Sequence, residues 1–196
     1  MATDYKYDVF LSYSHAPAVM PWVVERLYGQ LCAWLCEASG GGEVRIFLDQ
    51  TEITPGMHWP ESLRKAIRES KCIVPVWSPS YFTSDWCMSE WKSFCEREKM
   101  LANENKARDL VVPILHNDGD CFPEEAQQTQ WADFSDCCSN MPAFVYNSKS
   151  IDFEQKVKIF ANNLARIVYQ VPRFRPKWPT VNVRGLVLPH VDQMRL

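Results

Sequence analysis

Short apolar runs alternate with longer stretches of helical period along this chain. The runs are Tyr7–Tyr13 (YDVFLSY), Arg45–Leu48 (RIFL), Cys72–Trp77 (CIVPVW) and Leu110–Leu115 (LVVPIL), each followed by polar loop residues. Runs that are apolar almost throughout, and too short for typical helices, read as strands buried on both faces, the kind found in parallel sheets. Pro75 cannot donate to a ladder, yet the length of its run still makes it a central strand. Between the strands, apolar residues recur every three or four positions. Met20, Val23, Val24, Leu27, Leu31, Trp34 and Leu35 form one stripe, and Trp59, Leu63, Ala66 and Ile67 form a second. Cys87, Trp91, Phe94 and Glu98 make a third, and Phe153, Val157, Phe160, Ala161, Leu164, Ile167 and Val168 a fourth. Each predicts a helix with one buried face. Strands alternating with helices predict a parallel sheet covered on both sides by right-handed crossovers.

Local signals place the ends of these elements. Gly40, Gly41 and Gly42 stop the first helix. A phosphate cradle needs a strand, then glycines, then a helix amino terminus, whereas these glycines follow a helix and precede a strand. Thr54-Pro55-Gly56 predicts a defined turn within a polar loop that starts at Asp49, and Pro60 suits the first position of the next helix. Ser84 can cap the helix that holds Glu90, with Asp85 favouring its positive end. Asp152 with Gln155 resembles a capping box for the last helix, which Pro172 ends. Residues 121–149 read as irregular, with a short helix near Glu124 and an edge strand near Trp131 to Phe134. His116 to Asp120 lacks the later ligands of a calcium loop and reads as a solvated turn. The aperiodic, Pro- and Arg-containing stretch 174–196 reads as a linker or tail, of the kind that leads to a further domain.

Composition narrows the classes of function. With 196 residues and 46% hydrophobic positions, the chain suits one ordinary domain plus an extension. A net charge of −3 gives no field to gather nucleic acid or anionic lipid. Eight cysteines without a signal peptide read as reduced thiols in a cytoplasm, and with four scattered histidines they suggest buried hydrophobes more than a metal site. No apolar run approaches a membrane span.

One carboxylate stands out. Glu90 lies four residues after Trp86, and its own followers at i+3 and i+4 are Ser93 and Phe94, so it lacks the usual same-helix cation. On the helix pattern alone it is an exposed carboxylate whose loss costs at most a few tenths of a kcal/mol.

The segments YDVFLSYSHA, FLD with a polar loop ending in PG, SPSYFTSDWCMSEW, LVVPILHNDG and QWADFS follow one another in the order and spacing of a known family. Together they resemble the Toll/interleukin receptor (TIR) domain family, particularly its bacterial-type members, over residues 1–173. The resemblance implies a flavodoxin-like α/β fold, a parallel five-stranded sheet of order 2-1-3-4-5 with helices on both faces. In such a sheet ligands sit beyond the carboxyl ends of the strands where the order reverses, here between Tyr13 and Trp77.

Such TIR domains cleave the nicotinamide–ribose bond of NAD+, and the position matching their catalytic glutamate is Glu90. The resemblance thus implies an NAD+ nucleohydrolase in immune or anti-phage signalling. Its substrate is NAD+, with no permanently bound cofactor, and its activation is by homotypic TIR–TIR assembly in the cytoplasm. Product type stays open between linear ADP-ribose, a cyclic isomer and base exchange. The expected substrate contacts are Tyr13, Ser14, His15, Trp59 and Trp86, the two indoles as stacking faces for a flat cationic ring. Core packing is the alternative role for each indole. Ser14 and His15 depart from the family, where some NAD-cleaving members carry Arg. The alternative function is a non-enzymatic scaffold, since receptor-type members also share the Trp-Cys-x-x-Glu pattern.

Overall fold

A computed structural model describes residues 4–48, 61–105, 109–118, 120, 122–138 and 148–183. Five parallel strands form one sheet in the order β2-β1-β3-β4-β5, as the family resemblance implied. They are β1 (Tyr7–Tyr13), β2 (Ile46–Leu48), β3 (Ser70–Trp77), β4 (Ile114–Leu115) and β5 (Ala132–Asp133). The helices are α1 (Tyr28–Ala38), entered through a π-helical segment Trp22–Leu27, then α2 (Glu61–Arg68) and the single turn α3 (Pro79–Phe82). After these come α4 (Asp85–Asn103), the short α5 (Glu124–Gln127) and the long α6 (Ser148–Gln170). The Trp59 and Asp49–Gly56 expectations lie outside the described residues.

Strand alternation sorts β1 between two cores. Val9, Leu11 and Tyr13 pack with Leu27, Leu31 and Leu35 of the first helix and Val157, Ala161 and Leu164 of α6. Phe10 points the other way, into a cluster with Leu63 and Ile67 of α2 and Phe94 of α4. Because side chains alternate along a strand, Ser12 shares the Phe10 side and faces the α4 layer. That parity positions the candidate site.

Pro75 does sit within the central strand, opposite Ser12 in the β1–β3 register. The β3–β4 pairs, Ile73 with Val111 and Val76 with Ile114, keep one offset. Pro75 and Pro113 therefore fall at the same level, where the β3–β4 ladder is open. Pro75 faces β4 and removes one donor from that ladder, which leaves β4 shorter than its apolar run, whereas Pro113 faces β5, where its carbonyl accepts from the Ala132 amide.

The glycine stop is confirmed: Gly40 and Gly41 have φ of 78° and 79°, and the Gly41 amide donates to the Cys36 carbonyl. Ser84 caps α4 by accepting from the Cys87 amide. Two local expectations are corrected. α6 begins at Ser148, a turn before Asp152, so Asp152 and Gln155 lie inside the helix rather than boxing its end. His116 is buried, edge-on to Trp22 at 5.0 Å, rather than part of a solvated turn.

Residues 171–183 form neither helix nor strand but are docked on the domain, with Trp178 and Val183 only 3% and 4% exposed. Apolar side chains at these two positions outweigh the lack of regular hydrogen bonding. Among the described residues no helix is long and apolar enough to cross a membrane, and the seven described cysteines are free thiols.

α4 is also tied to the sheet by Glu98, whose Oε1 accepts from the Leu110 and Val111 amides at 2.6 and 3.0 Å. Burial raises this carboxyl from its ordinary 4.5 to about 7, against the opposing pull of those two bonds. A carboxyl with a raised folded pKa holds more protons folded than unfolded, so stability falls as pH rises from about 4.5 to about 7 and then levels. Urea unfolding of Glu98→Gln should lose this part of the pH slope. An unchanged slope would show that Glu98 does not titrate in that window.

Candidate active site

The carboxyl end of β1 meets the first turns of α4 on the sheet side that Ser12 faces. Three local features bring them together. The first is the Ser12 parity. The second is α3, where the Ser78 hydroxyl accepts from the Tyr81 amide and Pro79 occupies the first helical position. The third is the Ser84 cap, which fixes where α4 begins. Glu90 then lies in the second turn of α4, and it is 6% exposed. The expectation of an exposed carboxylate is thus corrected, because its helix face turns toward the strand ends rather than to solvent.

What Glu90 meets there is a hydroxyl. Ser12 Oγ donates to Glu90 Oε2 at 2.5 Å, and the same Oγ lies 2.9 Å from the Tyr81 hydroxyl. The Tyr81 hydroxyl also donates to the Cys87 carbonyl at 3.1 Å. Two hydroxyl protons therefore serve three contacts. A carboxylate has none to give, so the Ser12 proton goes to Glu90 and Tyr81 divides its own between Ser12 and Cys87. Burial, with smaller contributions from Cys87 and Glu90, raises the Tyr81 phenol well above its ordinary value. Tyr81 thus stays a donor at neutral pH. Ser12, Tyr81 and Ser78 are respectively 1%, 0% and 1% exposed, which makes this a preformed polar network under the sheet edge.

A cavity of about 120 Å³ opens beside the network, lined by Ser12, Tyr13, His15, Ser84, Trp86 and Glu90 among others. Of the sequence-predicted residues, Tyr13, His15, Trp86 and Glu90 come together here. The Tyr13 and His15 rings lie 5.4 Å apart, and Trp86 is half-buried, packing on the Phe10–Phe94 cluster while it lines the cavity. Ser14 does not line it. Its hydroxyl pairs with that of Ser80 at 2.7 Å, and Ser80 in turn pairs with Ser78 at 2.9 Å. Trp59 lies outside the described residues. Sequence reasoning missed Ser12, Tyr81, Ser80 of α3 and its N-cap Ser78. The available signals were a hydroxyl inside a doubly buried strand and a Ser-Pro pair at a helix start.

The cavity is well below the roughly 300–1,000 Å³ of sites that engulf a whole drug-sized ligand. It suits a sugar ring or one aromatic base. A larger cavity, about 800 Å³, lies at the opposite end of the strands between α1 and α6 and includes the Asp8–Lys71 ion pair. Size alone favours that one. The buried carboxylate, hydroxyl network and indole, together with the strand-end position where such sheets bind ligands, single out the smaller one. Among the described residues no cluster of His, Cys, Asp and Glu is arranged to hold a metal ion.

A doubly wound parallel sheet with a carboxylate at its strand-end edge defines the class of protein. The TIR domain family model matches residues 9–144, and the chain belongs to the TIR domain family. Among relatives, a protein of Brachypodium distachyon named "Probable 2' cyclic ADP-D-ribose synthase BdTIR" is 28% identical over 131 residues, covering 65% of this chain and 54% of that protein. TMV resistance protein N of Nicotiana glutinosa is 27% identical over 59% of this chain, and Protein toll of Drosophila melanogaster is 24% identical over 59%. The chain thus spans about half the length of the first relative and 9% of each of the others. The TIR domain of the Toll-related receptor TRR-2 of Hydra magnipapillata matches with 20% identity and a TM-score of 0.45, over 78% of this chain and 99% of that one. The TIR domains of the activated Roq1 resistosome match with 25% identity and a TM-score of 0.38, over 84% of each.

Ser12→Ala tests the network. It leaves a buried carboxylate without one donor, which should destabilise the fold by about 1–3 kcal/mol, while Glu90→Gln, still able to accept, should cost less. Equal losses in urea unfolding would mean that the Ser12–Glu90 bond does not carry the difference.

Proposed function

We propose that this TIR domain is an NAD+ nucleohydrolase with Glu90 as its reacting carboxylate. The observation that carries the reading is a buried glutamate held by Ser12 in a sugar-sized cavity beside an indole, at the carboxyl edge of the sheet. A relative named as a cyclic ADP-ribose synthase supports it.

Breaking the nicotinamide–ribose bond leaves positive charge on the ribose. A carboxylate fixed beside that carbon stabilises the developing charge and can accept from the ribose hydroxyls, without reorganising at the moment of reaction. Nicotinamide leaves as a neutral molecule carrying the bonding pair, so no general acid is required. Water then adds to the ribose carbon and loses a proton, giving ADP-ribose; a ribose hydroxyl or adenine nitrogen reaching the same carbon would give a cyclic product instead. Trp86 offers its face to the nicotinamide ring, with Tyr13 and His15 across the cavity. Because the described cavity takes only part of a dinucleotide, the rest of NAD+ extends over residues outside it or onto a second TIR domain. On this reading activity rises with self-association.

One observation favours a second reading. A buried glutamate bonded to a strand serine also ties α4 to β1 as structure, and a scaffold acting through TIR–TIR contacts needs nothing more.

Nicotinamide release from NAD+ by concentrated protein separates the two. Glu90→Gln should lower kcat by on the order of 100-fold or more while the fold survives. Trp86→Ala should lower turnover and Trp86→Phe retain much of it, because a flat ring remains. A folded Glu90→Gln that keeps the parental rate contradicts the assignment to Glu90. A parent that releases no nicotinamide at any concentration leaves the scaffold.

A further inference from the structure

α4 carries a second polar stripe that the chemistry above does not use. Ser89, Ser93 and Arg97 recur every four residues, and they are 3%, 0% and 0% exposed. The strap formed by residues 174–183 lies along this stripe. The Val183 amide donates to Ser89 Oγ at 3.1 Å and the Val181 amide to Ser93 Oγ at 2.8 Å. Trp178 lies against Arg97, with the guanidinium 4.8 Å from its ring centroid. Strap numbers rise as helix numbers fall, so the two run antiparallel.

Their periods match. Two residues of extended chain advance about 6.6 Å, and four residues of helix about 6.0 Å. The Val181 and Val183 amides, two residues apart, therefore each meet a serine hydroxyl, and the two hydroxyls lie about one helical turn apart. The serines receive these donors while giving their own protons within the helix, Ser89 to the Asp85 carbonyl and Ser93 to the Ser89 carbonyl. Each hydroxyl is thus used as donor and acceptor, and a one-residue slip of the strap would leave buried groups unmatched.

The strap is anchored at its start. Trp178 Nε1 donates to the Tyr5 hydroxyl at 3.1 Å, and that hydroxyl donates to the Pro172 carbonyl at 3.1 Å. Arg175 pairs with Glu104 at the far end of α4. At its other end the strap reaches Ser89, the residue next to Glu90. Val183 there joins the cluster of Trp77, Tyr81 and Met88, so it packs among residues that include the phenol of the Ser12–Glu90 network.

We propose that the strap is a positioning element for Glu90. By fixing Ser89 and Ser93 it sets the axial position of the first turns of α4, and hence the distance from Glu90 to Ser12 and to the cavity. Ser89, Ser93, Val181 and Val183 are positioning residues on this account, which rests on the reading of Glu90 as the reacting carboxylate.

The test breaks one bond from both sides in the full chain. Val181→Pro removes the donor and Ser93→Ala the acceptor. Two readouts are taken: amide hydrogen exchange over residues 87–94 of α4, and kcat and KM for nicotinamide release. Both variants should exchange faster over 87–94 than the parent while residues 98–102 keep their protection. Their kcat should fall about 10- to 100-fold with KM nearly unchanged, the signature of a misplaced reacting group. Should Val181→Pro fail to fold, Ser93→Ala decides. Parental exchange over 87–94, or faster exchange with parental kcat, overturns the proposal and leaves Glu90 untouched. A parent that releases no nicotinamide sinks the catalytic reading instead, and the exchange result alone then decides whether the strap holds these turns.

Discussion

A carboxylate taken out of water must be satisfied or it costs several kcal/mol, and Glu90 accepts a short hydrogen bond from a strand hydroxyl, Ser12 Oγ. Much of the structure serves to make that contact possible. Strand alternation turns Ser12 to the α4 side, the β1–β3 register sets its height at the level of Pro75, and the Ser84 cap sets where α4 begins. Tyr81, delivered by the single turn α3, keeps the Ser12 hydroxyl oriented so that its proton points at Glu90. A slip of one residue in any of these elements would leave a buried charge facing apolar side chains.

The same helix is pinned at its other half by a buried cation. Arg97 donates to the Ser70 and Ile67 carbonyls at 2.8 and 2.9 Å and lies between the rings of Phe94 and Trp178. Burial pulls its pKa down to about 10, so it remains charged at neutral pH. The Ile67 carbonyl belongs to the last turn of α2, where a cation is favoured. α4 is therefore fixed by a negative group against β1 near its start and a positive group against α2 and β3 further along. Apolar packing holds a helix to a sheet but tolerates small shifts; two buried charged groups with fixed partners do not, which suits an element that carries the proposed reacting group.

Legibility in the sequence followed what each signal measures. Apolar runs report burial, so β1, β2 and β3 were readable, but β4 is shorter than Leu110–Leu115 because the donor lost at Pro75 opens its ladder with β3 in the middle of that run. Strand order came from the family resemblance, since periodicity carries no information about which strands pair. Glu90 was found because Ser93 and Phe94, not cations, follow it at i+3 and i+4, and by that resemblance, yet its burial was not, because a helix pattern does not say that a second element covers the polar face. Ser12 and Trp178 show the same limit. One is a polar residue in an apolar strand and the other an aromatic in an aperiodic tail, and each is explained only by its partner far along the chain. Ser89, Ser93 and Arg97 were visible as residues but not as a stripe with an occupant.

The charge on Glu90 and its neighbourhood with Trp86 give the cavity one end that favours developing positive charge and one flat apolar wall. That combination fits a ribose bearing a cationic ring better than it fits an anion or an uncharged lipid. The most direct measurement is a crystal structure of Glu90→Gln with NAD+ bound. The account predicts the nicotinamide ribose in the Ser12–Trp86 cavity, its hydroxyls within hydrogen-bonding distance of residue 90 and the nicotinamide ring against Trp86. NAD+ bound only in the larger cavity between α1 and α6, or with its ribose out of reach of residue 90, would contradict it.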